Sequence, residues 1–114
     1  MKRILIVDDE PIVRKLIRLC LRGQYMTDEA EDGEKALTKA SRVDYDCVIT
    51  DVQMPRMDGL SLLGEIKKRK PSTAVIVMSS FGDRYSQAAL DRGASFFLAK
   101  PFRIDTLQSA LDCV

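Results

Sequence analysis

The sequence predicts an α/β protein: a parallel sheet with helices on both faces. Three observations predict it. Ile4-Leu5-Ile6-Val7 and Val48-Ile49-Thr50 are short β-rich runs without polar alternation, the pattern of strands buried on both faces. Both run straight into acid, at Asp8-Asp9 and at Asp51. Strand-like runs then alternate with helical periodicity along the whole chain, which calls for crossover helices and hence parallel strands.

The elements follow in order. Pro11 suits the first turn of a helix. Ile12/Val13, Leu16/Ile17 and Cys20/Leu21 recur every four residues opposite Arg14, Lys15, Arg18 and Arg22, so that helix is amphipathic. Gly23 is placed to end it. The second strand is expected over Tyr25 to Ala30, although Thr27, Asp28 and Glu29 interrupt it; a short, polar edge strand accounts for this. Asp32-Gly33 is a turn, and Glu34 to Ser41 reads as a helix with Ala36, Leu37 and Ala40 inward. Cys47 to Thr50 is the third strand. Asp58 is placed to cap the next helix, which carries Leu60, Leu62, Leu63 and Ile66 and ends before Pro71. Ala74 to Met78 is the fourth strand, ending in Ser79-Ser80. A helix from about Arg84 to Asp91 closes at Gly93. Phe96-Phe97-Leu98 is a short fifth strand, whose alternation sends one phenylalanine to each face. The last helix starts near Arg103 with Ile104, Leu107 and Leu111 inward. No repeat or linker interrupts this series, so one domain over residues 1–114 is expected.

Composition narrows the function classes. With 46% hydrophobic residues the chain can bury a single core. Eighteen basic residues against seventeen acidic ones, a net charge of +1, do not suggest nucleic-acid or membrane binding by bulk charge. The run Lys67-Lys68-Arg69-Lys70 is expected to be a solvated helix end, where cations favour the macrodipole. Cys20, Cys47 and Cys113 show no C-x-x-C pairing, which points to buried thiols rather than zinc or disulfides. No signal peptide or membrane-length apolar run is read, so a cytoplasmic location is expected.

Parallel strands share one C-terminal edge, and open α/β sheets place their chemistry there. Four sites are expected along it: Asp8-Asp9, Asp51, Ser79 and Lys100. Clustered carboxylates repel one another, and a bound divalent cation is the simple remedy. Magnesium prefers oxygen ligands and needs only one or two carboxylates. A phosphoryl group at that edge would find a metal, an ammonium and a hydroxyl, which is what phosphoryl transfer requires.

Ile4-Leu5-Ile6-Val7-Asp8-Asp9-Glu10, Asp51-Val52-Gln53-Met54-Pro55-Arg56-Met57-Asp58-Gly59, Gly93-Ala94 and Lys100-Pro101-Phe102 stand together in one order and spacing. With them the chain resembles the receiver domain of two-component response regulators, the CheY-like superfamily, over essentially its whole length. The resemblance implies a flavodoxin-like (βα)5 fold, a doubly wound parallel five-stranded sheet of order 2-1-3-4-5. It implies a signalling phosphoacceptor rather than an enzyme, one that promotes its own phosphotransfer and dephosphorylation. Asp51 would accept a phosphoryl group from a sensor histidine kinase or phosphotransfer protein. Asp9 and Asp51 would bind Mg2+ directly with the backbone carbonyl of Gln53, and Asp8 through water. Ser79 and Lys100 would contact phosphoryl oxygens, and the Lys100-Pro101 bond would be cis.

The same resemblance implies a switch. Ser79 would turn toward the phosphoryl group, the ring of Phe97 would swing inward, and the face of the fourth helix, fifth strand and last helix would change shape. That face would signal to an output domain beyond Val114 or to a partner, with a homodimer left open. Serine replaces the commoner threonine at position 79, and Phe97 replaces the frequent tyrosine. The segment between Ser79 and Lys100 is about one residue shorter than in many relatives, which leaves the start of its helix open. Phe81 is expected to shield the acyl phosphate and Gln53 to be a poor base, so slow autodephosphorylation is expected.

Rival classes fit less well. There is no G-x-x-x-x-G-K-[ST] loop, no G-x-G-x-x-G and no histidine. A dehalogenase-like phosphatase would want a second acid at position 53, where Gln53 stands. A receiver-like module that never takes phosphate is disfavoured by the joint presence of Asp9, Asp51 and Lys100.

Overall fold

Strand and helix alternate without exception in the computed structural model, which describes all 114 residues. The elements are β1 (Arg3–Val7), α1 (Pro11–Leu21), β2 (Met26–Ala30), α2 (Gly33–Arg42), β3 (Cys47–Asp51), α3 (Gly59–Arg69), β4 (Ala74–Ser79), α4 (Ser86–Asp91), β5 (Phe96–Ala99) and α5 (Ile104–Asp112). The strands form one parallel sheet in the order β2-β1-β3-β4-β5.

Alternation along each strand divides the core. In β1, Leu5 and Val7 face α2, α3 and α4, whereas Ile4 and Ile6 face α1 and α5. In β5, Phe97 packs on the first face and Phe96 and Leu98 on the second, as alternation required. Register brings the strand ends level: Val7 pairs with Thr50, Asp51 with Met78, and Ser79 with Ala99. The residues that follow these ends therefore gather at one edge.

Caps fix the helices where the sequence marks them. Pro11 occupies the first turn of α1, and Gly23 follows its end at φ +85°. The Asp58 side chain accepts from Ser61 N at 2.8 Å, and Asp32 accepts from Lys35 N at 2.8 Å. The weak β2 signal has a physical cause. Asp28 accepts from Tyr45 Oη at 2.7 Å and Arg3 Nε at 3.1 Å, and Glu29 accepts from Arg14 Nε at 3.1 Å. The polar residues of this edge strand are partners for cations and a tyrosine on neighbouring elements.

Four expectations need correction. Ile104, expected inward in the last helix, stands 40% exposed at the start of α5, while Leu107 and Leu111 are buried. The fourth helix starts at Ser86, not Arg84, because Arg84 N and Ser86 N donate three residues back, to Phe81 O and Asp83 O. These are tight turns rather than α-helix, and Gly82 at φ +59° stands within them. Of the cysteines only Cys47 is buried; Cys113, just past α5, is exposed and Cys20 half-buried, all three as free thiols. The basic run ending α3 is only partly free in solvent: Lys67 Nζ donates to Thr73 O at 2.7 Å, and Lys70 pairs with Asp44 at 2.6 Å.

Candidate functional site

The acid edge is built from the ends of four strands. Asp8 follows β1 and is fully buried. Its Oδ1 accepts from Glu10 N at 2.9 Å, and its Oδ2 accepts from Lys100 Nζ at 2.8 Å. Asp51 ends β3 with 8% of its surface exposed, and its Oδ1 lies 3.5 Å from the same ammonium. Lys100 follows β5, where its backbone N donates to Ser79 O at 2.7 Å, and the Lys100-Pro101 bond is cis as expected. Ser79 ends β4; its buried Oγ accepts from Phe81 N at 3.1 Å, while Ser80 beside it is exposed. Of the two serines, Ser79 is therefore the inward hydroxyl.

Backbone packing holds Asp51 in place. Val52 N donates to Met78 O and Gly59 N to Val52 O, at 3.0 and 2.7 Å. A Cβ on Gly59 would stand 1.9 Å from the Asp51 carbonyl oxygen, so only glycine lets α3 begin this close to β3. A second brace joins neighbouring loops. Asp32, buried at the start of α2, also accepts from Arg56 Nε at 2.8 Å, and the Arg56 backbone stands at φ +69°.

Electrostatics at the edge are out of balance. Burial pushes the Asp51 carboxyl up to about 6, the Asp8 charge adding to it while Lys100 pulls the other way. Burial opposes the Lys100 charge too, but the hydrogen bond to Asp8 and the charges of Asp8 and Asp51 outweigh it and raise the lysine. Asp8, Asp9 and Glu10 can bring one carboxylate oxygen each to within 4.8 Å of one another. Glu10 was not singled out from the sequence as a member of this cluster. The donors are hard oxygens in excess of the cations beside them, a set that suits magnesium better than a softer metal.

The flanking residues divide. Phe97 is half-buried on the core face shared with Val77, with which it is in register, and the period of two puts Ser79 on that face as well. Phe81 is 49% exposed and meets Tyr85 edge-on. Gln53 Nε2 donates to Tyr85 Oη at 3.2 Å, and no backbone N–H claims the Gln53 carbonyl. Tyr85 and the Asp32–Arg56 brace escaped the sequence reading, because the contacts join residues 32 and 24 positions apart.

The family model described as the response regulator receiver domain matches residues 4–112. The chain belongs to this family. The receiver domain is 36% identical over 115 residues to the chemotaxis protein CheY of Listeria monocytogenes, covering 98% of this chain and 97% of that protein. It is 34% identical over 102 residues to the transcriptional regulatory protein ResD of Bacillus subtilis, covering 88% of this chain but 42% of ResD. The response regulator protein TrrA of Thermotoga maritima, solved in complex with Mg(2+)-BeF, superposes with a TM-score of 0.90 at 37% identity, over 99% of this chain and 98% of TrrA. The expected flavodoxin-like architecture and sheet order are those observed. No helix of the receiver domain is long and apolar enough to cross a membrane.

Proposed function

We propose that this receiver domain takes a phosphoryl group onto Asp51 from the phosphohistidine of a sensor histidine kinase or phosphotransfer protein. One observation carries the reading: a buried carboxylate stands 3.5 Å from a lysine ammonium that also pairs with buried Asp8. In the transfer, an Asp51 oxygen bonds to phosphorus as the phosphorus–nitrogen bond breaks, and the leaving imidazole keeps the electron pair. Lys100 neutralises charge on the phosphoryl oxygens as they arrive, and Ser79 donates its hydroxyl to one of them.

Asp9, Asp51 and the free Gln53 carbonyl would hold Mg2+ directly, and Asp8 would support it through water. When bound, the ion would supply positive charge to Asp8, Asp9, Glu10 and Asp51, of which Lys100 reaches only Asp8 and Asp51. The likeness to TrrA, whose structure holds Mg(2+)-BeF, supports this assignment.

Phosphorylation then biases a two-state element. Ser79 gives up the bond from Phe81 N to reach the phosphoryl group, Phe97 moves into the space beside it, and the α4-β5-α5 face changes shape. ResD is longer than this chain, which supports an output domain outside it as the receiver of that change. The domain acts in the cytoplasm and touches neither nucleic acid nor membrane directly; pairing of two copies through the switched face is the alternative output.

Intact-mass spectrometry after incubation with acetyl phosphate and magnesium tests the proposal. One added phosphoryl group is expected, lost in Asp51→Asn and lost when the metal is chelated. An adduct that survives Asp51→Asn, or none in the wild type, contradicts it.

A further inference from the structure

Tyr85 belongs to neither the acid cluster nor the switch pair, yet it touches both loops beside Asp51. It stands at the end of the turn that precedes α4. Its ring is half-buried and packs on the core beneath α2, α3 and α4, the same core that Phe97 covers. Its hydroxyl accepts from Gln53 Nε2 at 3.2 Å, across 32 residues of sequence. Its ring meets Phe81 edge-on, with centroids 6.3 Å apart at 86°, and the Arg84 guanidinium lies 5.6 Å from its centroid.

Gln53 lies two residues after Asp51 and Phe81 two after Ser79. Their loops leave β3 and β4, which are neighbours in the sheet. A contact between these loops therefore bridges two neighbouring strand ends of the acid edge. Neither residue could do this alone, because both are exposed and Phe81 follows its strand into irregular turns. Tyr85 has the one ring that reaches the core on one side and the two exposed side chains on the other.

We infer that Tyr85 is a positioning residue that latches Gln53 and Phe81 together over the phosphoacceptor and so prolongs the phosphorylated state. The inference rests on the phosphoacceptor reading above. Hydrolysis joins a water oxygen to phosphorus and breaks the bond to Asp51, whose carboxylate keeps the electron pair as inorganic phosphate leaves. The water must enter along the metal-facing or the latch-facing side of the site. While the Gln53 amide is held by Tyr85, it is not free to orient that water, and Phe81 stays seated beside it. A tyrosine without its hydroxyl frees the amide but keeps the ring contact; loss of the ring frees both.

Decay of the aspartyl phosphate, followed after removal of acetyl phosphate, tests the latch in wild type, Tyr85→Phe, Gln53→Ala and the double variant. Gln53→Ala keeps the backbone carbonyl proposed for the metal. Tyr85→Phe is expected to speed decay roughly 3- to 10-fold, the size of one hydrogen bond. In the Gln53→Ala background the same change is expected to have no further effect, because there is no amide to release. Tyr85→Ala is expected to decay faster than Tyr85→Phe. Decay in Tyr85→Phe equal to or slower than wild type overturns the latch, as does an effect of equal size in both backgrounds, which marks general loosening. A wild type that takes no phosphoryl group at all overturns the phosphoacceptor reading instead.

Discussion

The Lys100 ammonium stands 2.8 Å from Asp8 Oδ2 and farther, at 3.5 Å, from Asp51 Oδ1. It crosses from the end of β5 to the end of β1 over two intervening strands. Lys100 is thus a structural counterion as well as a candidate phosphoryl contact. Lys100→Met leaves Asp8 buried without its partner, and a loss of up to about 3 kcal/mol is expected in metal-free buffer. Denaturant unfolding measures it; unchanged or increased stability would show that the pair holds nothing together.

Asp51→Asn should act in the opposite sense. It removes a carboxylate that burial and Asp8 both disfavour. Without metal the variant is expected to be more stable than wild type, on the order of 1 kcal/mol. Millimolar magnesium should raise the melting temperature of the wild type more than that of the variant. Equal shifts in the two would remove Asp51 from the metal site.

The start of α3 gives a paired glycine test. Gly59→Ala would press a Cβ into the Asp51 carbonyl, and a loss of at least about 2 kcal/mol is expected together with slower phosphorylation. Gly64, inside α3 with nothing near its missing Cβ, should behave oppositely, Gly64→Ala gaining about 0.5 to 1 kcal/mol. Chemical denaturation of both variants checks the pair, and a Gly59→Ala protein as stable as wild type would contradict the close approach.

Asp32 provides the pH test. Burial opposes its charge, but Lys35 N and Arg56 hold its carboxyl below the usual carboxylate range. A depressed folded-state value means that the contribution is complete above the unfolded value, about 3.9, and is lost as pH falls through the folded value. Asp32→Ala, which also loses the α2 cap, is expected to cost about 1 kcal/mol near neutrality. The gap to wild type should narrow only in strong acid. A gap that closes between pH 7 and pH 5 would contradict the assignment.

What the sequence made legible follows from burial. β1, β3 and β4 are inner strands packed on both faces, so their apolar runs stand out, and the residues after them could be placed on one edge. Asp8, Asp51 and Ser79 were placed that way, and Lys100 was placed as the residue after the shorter run of the edge strand β5. β2 was faint because Asp28 and Glu29 serve Tyr45, Arg3 and Arg14 rather than an apolar core. The start of α4 was misplaced because turns around Gly82 carry no periodic signal. Arg56 reaching Asp32, and Tyr85 reaching Gln53, are contacts between loops, and no local pattern marks a residue whose partner lies on another loop.

The central claim is that Asp51, and neither Asp8 nor Asp9, carries the phosphoryl group. Borohydride reduction of the phosphorylated protein converts an aspartyl phosphate to homoserine, which peptide mass spectrometry can locate. Homoserine at position 51 alone is the predicted result; homoserine at position 8 or 9, or at none of the three in protein that has gained a phosphoryl group, would contradict it.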